Sequence, residues 1–169
     1  KNPTNDEDKV VYSDNPYASS DDEPLIPERS LGRLPDDAAT DTGFLLTAID
    51  HAIAGHKSPP ATTGAFGETA QVWQKASQAV IKSVGATKSA LKISPPETRL
   101  TFRPLWLKGK RYDYFNLHGA ENTPYWYGQQ GERYPVAVGP QEIGAGQVKG
   151  AVVFSEACFG ANIIGKKAG

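Results

Sequence analysis

Residues 150–162 read GAVVFSEACFGAN, and Ala151-Val152-Val153-Phe154 within them form a continuous apolar run. Such a run suits a strand buried on both faces of a parallel sheet. It leads within a few residues to Glu156-Ala157-Cys158, which holds the only cysteine of the chain. Upstream, RYDYFNLHG (111–119) has the same plan: an aromatic-rich strand over Tyr112–Leu117 that reaches His118-Gly119. In open α/β sheets, function collects at the carboxyl ends of the strands. If these two strands are parallel neighbours, a strand-end His and the single Cys lie on one rim.

Further strands are expected at 9–12 (KVVY), around 29–33, and at 90–93 or 99–103. A helix is expected over about 37–54. Asp36, Asp37, Thr40 and Asp41 offer N-cap oxygens, Phe44, Leu45, Ala48, Ile49, Ala52 and Ile53 recur at helical spacing, and Gly55 follows as the C′ residue. His51 and His56 near its end suit the helix dipole or simple exposure. KSPPATTGAFG (57–67) reads as loop. A second helix is expected over about 67–84, with Trp73 as a core anchor and Gly85 ending it. Lys108-Gly109-Lys110 reads as a turn, and ENTPYWYGQQGERYPVAVGP as a long irregular stretch. Strands alternating with helices imply an α/β fold, a three-layer αβα sandwich with a mainly parallel central sheet.

The chain has 169 residues, 18 Lys+Arg against 19 Asp+Glu, and a formal net charge of −1. That length fits one domain. The charge balance argues against a nucleic-acid partner, which calls for a basic surplus. No apolar run is long enough for a transmembrane helix, so no membrane partner is expected. One cysteine excludes an internal disulfide and a Cys-based zinc site. Methionine is absent and the first residue is Lys1, so the chain is expected to be a piece of a longer product, with 1–10 a flexible start.

A thiol nucleophile with an imidazole base is the chemistry that Cys158 and His118 offer together. Gly119 allows close backbone approach, so its N–H could face a developing oxyanion, and Gly160 lets the chain turn after the thiol. The plainer reading is a buried core cysteine and a structural histidine. Glu156, two residues before Cys158, would face the same side of a continuing strand. It could orient His118, bind a basic substrate group, or pair with a local N–H. Tyr125 and Trp126 could wall an aromatic pocket or pack the loop. Asp14, Asp21 and Asp22, with Glu23, form either a calcium-holding loop or a solvated acidic one; the spacing lacks the EF-hand order.

YFNLHGAENTPYW and VVFSEACFGAN resemble the two active-site segments of caspase-fold (clan CD) cysteine peptidases. The nearest resemblance is to the gingipain-like family C25, through DDEPLIPERSLGRLPDD ahead of the first helix. It covers roughly residues 10–165, with His before Cys as that clan requires. The resemblance implies that Cys158 attacks the scissile carbonyl to form an acyl-enzyme. His118 would protonate the leaving amine and then activate water, and the N–H groups of Gly119 and Cys158 would bind the oxyanion. It implies a peptide or protein substrate, cleavage after Arg or Lys, and no required cofactor. A caspase-type sheet has more strands than are found here, so the chain is expected to be the large fragment of a processed catalytic domain. A second fragment of the same precursor would be its partner, and Lys166-Lys167 a processing region. The alternatives are a non-catalytic caspase-fold binding or scaffold module, and an amidase or transpeptidase using the same dyad. The compartment stays open between secreted and cytoplasmic.

Overall fold

A computed structural model describes residues 15–20, 28–29, 42–58, 62–144 and 146–159. The strand expected at 9–12, most of that at 29–33, the candidate calcium ligands Asp14, Asp21 and Asp22, the cap candidates Asp36–Asp41, Gly160 and Lys166-Lys167 lie outside these residues. In chain order the elements are α1 (Asn15–Ala18), α2 (Gly43–Lys57), β1 (Ala65–Ala70), α3 (Gln74–Ser83), β2 (Leu91–Ser94), β3 (Tyr112–Asn116), β4 (His118–Ala120), β5 (Thr123–Tyr127), β6 (Val136–Val138) and β7 (Val152–Ser155). Among the described residues no helix is long and apolar enough to cross a membrane.

The fold is α/β. Four parallel strands pair in the order β2-β1-β3-β7, and β4-β5-β6 form a small antiparallel sheet. β1 is the centre of the larger sheet and every one of its six residues is buried. This corrects the expected loop over 65–67 and the expected helix start over 67–70. AFGETA has small side chains at alternate positions and takes backbone partners on both edges, Leu91–Ser94 on one and Tyr112–Asn116 on the other. Strand pairing on two sides outweighs a weak helical spacing. The helix then begins only at Gln74, after a 3₁₀ turn over Gln71–Trp73. It ends as expected: Gly85 has φ +78°, its N–H donates to Lys82, and the Ala86 N–H donates to Ile81, a Schellman closure.

Side chains alternate across the sheet. On one face Ala65, Leu91 and Tyr114 pack with Ile81 of α3. On the other, Phe66 and Phe115 pack with Phe102, Leu107, Leu117, Ala137 and Val138, and Trp106 and Trp126 close over them. Among the described residues this second face is covered by 3₁₀ and irregular chain and by β4-β5-β6, where a helical layer is expected. Residues 99–101 are turn and 102–103 irregular, not strand, and β2 (Leu91–Ser94) stands near the alternative expected at 90–93. The stretch expected to be irregular carries β5 and β6, because Pro124 and Pro135 sit at the strand margins and leave the ladder donors intact. Gly55 lies inside α2, which runs to Lys57 with the Ser58 N–H bonded to Ala54. His51 and His56 are exposed on it.

β3 and β7 pair in parallel, with Tyr112 opposite Val152 and Phe115 opposite Ser155. Burial of β7 on both faces is not found. Val152, Val153 and Phe154 are 43–48% exposed, because β7 is the edge of the sheet among the described residues.

Two acids stand in this interior. Glu68 on β1 and Asp113 on β3 are fully buried, and none of their four carboxyl oxygens has a hydrogen-bond partner. Phe66 is opposite Asp113 and Glu68 opposite Phe115, so both acids face the aromatic side. Burial, with Glu97 adding to it, pushes the Glu68 carboxyl up to about 8. Burial pushes Asp113 up to about 6, and Lys110 partly offsets it.

Candidate active site at the carboxyl ends of β3 and β7

The parallel register carries His118 and Cys158 to the same rim. Each lies the same distance beyond the Phe115–Ser155 pair, and the Glu156 N–H extends the ladder by donating to the Phe115 carbonyl at 2.8 Å. The two ends then meet through Gly119. A Cβ built on Gly119 would overlap the carbonyl oxygen of Cys158, so only glycine lets these two backbones approach so closely. Cys158 is exposed, which sets aside the buried-core reading of the thiol. The chain turns sharply just after it: Phe159 has φ +58°, a left-handed backbone in a bulky residue. Strain of that kind, about 1–3 kcal/mol, persists where surrounding structure holds it and collects at functional sites.

His118 is half-buried and held on several sides. Its ring lies against Trp73 at 4.4 Å between centroids and edge-on to Tyr134 at 5.1 Å. Its Nε2 forms a 2.8 Å hydrogen bond with Oε1 of Gln129. Trp73, expected as a core anchor, is thus a wall of the histidine site.

Glu156 does not serve His118. Its carboxylate accepts a 2.7 Å hydrogen bond from the Tyr114 hydroxyl, and it lines a cavity of about 220 Å³ with Val80, Ile81, Val84 and Tyr112. The α3 face claims it because Tyr114, one strand away, directs its hydroxyl there. Burial and this bond push the Tyr114 phenol up.

A second cavity, of about 190 Å³, adjoins the thiol. Gly119, Thr123, Tyr125, Trp126, Cys158 and Phe159 are among the residues that line it. Trp126 lines this cavity and packs on Phe115 at 5.0 Å. None of the described residues lining the cavity carries a charge. Among the described residues no group of three or more acidic, His or Cys side chains could hold a metal ion.

Gln129 and Tyr134 are the site residues that sequence reasoning passed over. Their signal was the run GQQGERY (128–134), in which two glycines bracket polar residues just after an aromatic strand.

Comparison with protein-family models, with curated proteins and with solved structures returned no match.

The Gly119 contact gives a direct prediction. Gly119→Ala must push the Cys158 segment away, an overpacking cost of about 1–3 kcal/mol. Denaturant unfolding of the variant measures it. Unchanged stability would mean that the two segments do not touch.

Proposed function

We propose that this chain is the catalytic domain, or the large fragment, of a caspase-fold cysteine endopeptidase. The observation that carries the reading is the meeting of two strand ends: β3 delivers His118-Gly119 and β7 delivers Cys158 to one rim, with Gly119 against the Cys158 backbone. The parallel order β2-β1-β3-β7, with the His strand inside and the Cys strand beside it, supports the caspase-like assignment.

In this reading the Cys158 thiol gives its proton to His118 and the sulfur attacks the scissile carbonyl. Oxygen charge develops beside the N–H groups of Gly119 and Cys158, where preorganised donors contribute several kcal/mol in hydrolases. The imidazolium then protonates the departing amine, and water, deprotonated by His118, releases the acyl group. The substrate side chain enters the cavity beside Cys158. Cleavage after Arg or Lys would call for a carboxylate there; Glu156 is engaged by Tyr114 instead. A second fragment would extend the sheet beyond β7, whose valines and phenylalanine are exposed.

A peptide library with basic, aromatic and aliphatic P1 residues tests the reading. Wild-type protein should cleave a subset of the peptides and Cys158→Ala none of them. Equal traces of cleavage by both proteins, or none by a folded wild type, would favour the scaffold reading. An amidase or transpeptidase would instead show Cys158-dependent acyl transfer without endopeptidase products.

A further inference from the structure

We propose that Gln129 is a positioning residue that holds His118 as the Nε2–H tautomer, so that Nδ1 is the nitrogen that exchanges protons with Cys158. The exchange with Cys158 rests on the peptidase reading above; the tautomer does not.

The direction of the His118–Gln129 bond follows from what lies on the far side of the amide. Gln129 Nε2 is 2.9 Å from the Gly131 carbonyl oxygen and 3.2 Å from the Tyr134 hydroxyl. A carbonyl oxygen only accepts, so the amide nitrogen must face it. That leaves Oε1 for His118, at 2.8 Å. An amide oxygen also only accepts, so the His118 Nε2 carries the hydrogen. A neutral imidazole has one N–H, and the lone pair therefore falls on Nδ1.

Gln129 is itself fixed in place. Its backbone N–H donates to the Ser94 carbonyl at the end of β2, and the Gly128 N–H donates to Pro135. A Cβ on Gly128 would overlap Ser94, so the loop lies directly on that strand end. Gln130 and Arg133 close the loop with two backbone hydrogen bonds of 3.0 and 3.1 Å. Among the described residues, the side chains in contact with the imidazole are Trp73 from the turn after β1 and Gln129 and Tyr134 from this loop. None is charged at neutral pH, so hydrogen bonding rather than charge selects the tautomer.

The proton balance in catalysis follows. The thiol proton of Cys158 passes to Nδ1, giving a thiolate and an imidazolium whose Nε2–H stays on Gln129. As the scissile C–N bond breaks, the Nδ1 proton passes to the amine nitrogen and the starting tautomer is restored. A side chain that only accepts thus orients the ring without competing for the exchanged proton.

Long-range ¹⁵N–¹H correlation NMR on the uniformly ¹⁵N-labelled chain reads the tautomer directly. Besides His118 the chain has only His51 and His56, and His118→Ala assigns the third signal set. The expected result is a protonated Nε2 and an unprotonated Nδ1 for His118. Gln129→Leu should mix the tautomers, and Gln129→Glu should restore the Nε2–H form and raise the His118 pKa by about one unit or more. An Nδ1–H tautomer in the wild type overturns the proposal. So does a Gln129→Leu variant whose tautomer and titration match the wild type. If Gln129→Leu fails to fold, the wild-type tautomer and the Gln129→Glu titration still decide. If the tautomer is as expected but the alkylation rate of Cys158 ignores both His118→Ala and Gln129→Leu, the peptidase reading falls and the tautomer lock stands.

Discussion

Glu68→Gln is expected to make the protein more stable than the wild type at pH 8, by roughly 4 kcal/mol, and to leave its stability at pH 4 little changed. Glu68 sits in the centre of the parallel sheet, fully buried, with neither carboxyl oxygen bonded. Its register neighbour Lys92 does not neutralise it, because the Lys92 ammonium lies over the Trp106 ring at 4.9 Å. Burial first, and the Glu97 charge second, lift the carboxyl from 4.5 in the unfolded chain to about 8 in the folded one. Below pH 4.5 both states hold the proton and the acid costs no linkage energy. Between the two values only the folded state holds it, so stability falls as pH rises. Above about 8 the folded state must bury a charge. Glutamine keeps the shape and removes the titration. Guanidinium unfolding of both proteins from pH 4 to pH 8.5 checks this, and parallel profiles would show that Glu68 is solvated or paired. Asp113 adds a smaller loss in the same direction at lower pH, as its carboxyl is lifted from 3.8 to about 6.

The strands that bear His118 and Cys158 were legible because each is an apolar or aromatic run that ends at a chemically distinct residue. Their adjacency was not, since a sequence states no pairing; the register Tyr112–Val152 supplied it. The burial expected for β7 failed for a related reason. An apolar run shows what a strand can tolerate, and the position of the strand in the sheet determines what covers it. β1 was misread because Ala65, Gly67 and Ala70 have little strand preference of their own, and two flanking strands impose it. Which side chain bonds His118 was not legible from proximity in sequence, where Glu156 was one candidate among several roles. Glu156 is close to Cys158 along the chain, but Tyr114 holds it on the α3 face, while Gln129 arrives from a loop whose course depends on the antiparallel sheet. The turn at Lys108–Lys110 and the helix stop at Gly85 were read correctly, because each rests on one glycine with positive φ.

In the proposed mechanism His118 and the exposed thiol of Cys158 act as one unit. Alkylation kinetics test it most directly, because Cys158 is the only cysteine and every labelled molecule reports on it. The rate with iodoacetamide follows the thiolate fraction, which for an ordinary thiol is a few per cent at pH 7. Wild-type protein at pH 7 should react about 10-fold faster than an unstructured peptide bearing the same thiol, and His118→Ala should abolish that excess. A wild-type rate equal to that of the peptide, with the same pH dependence in His118→Ala, would contradict the account.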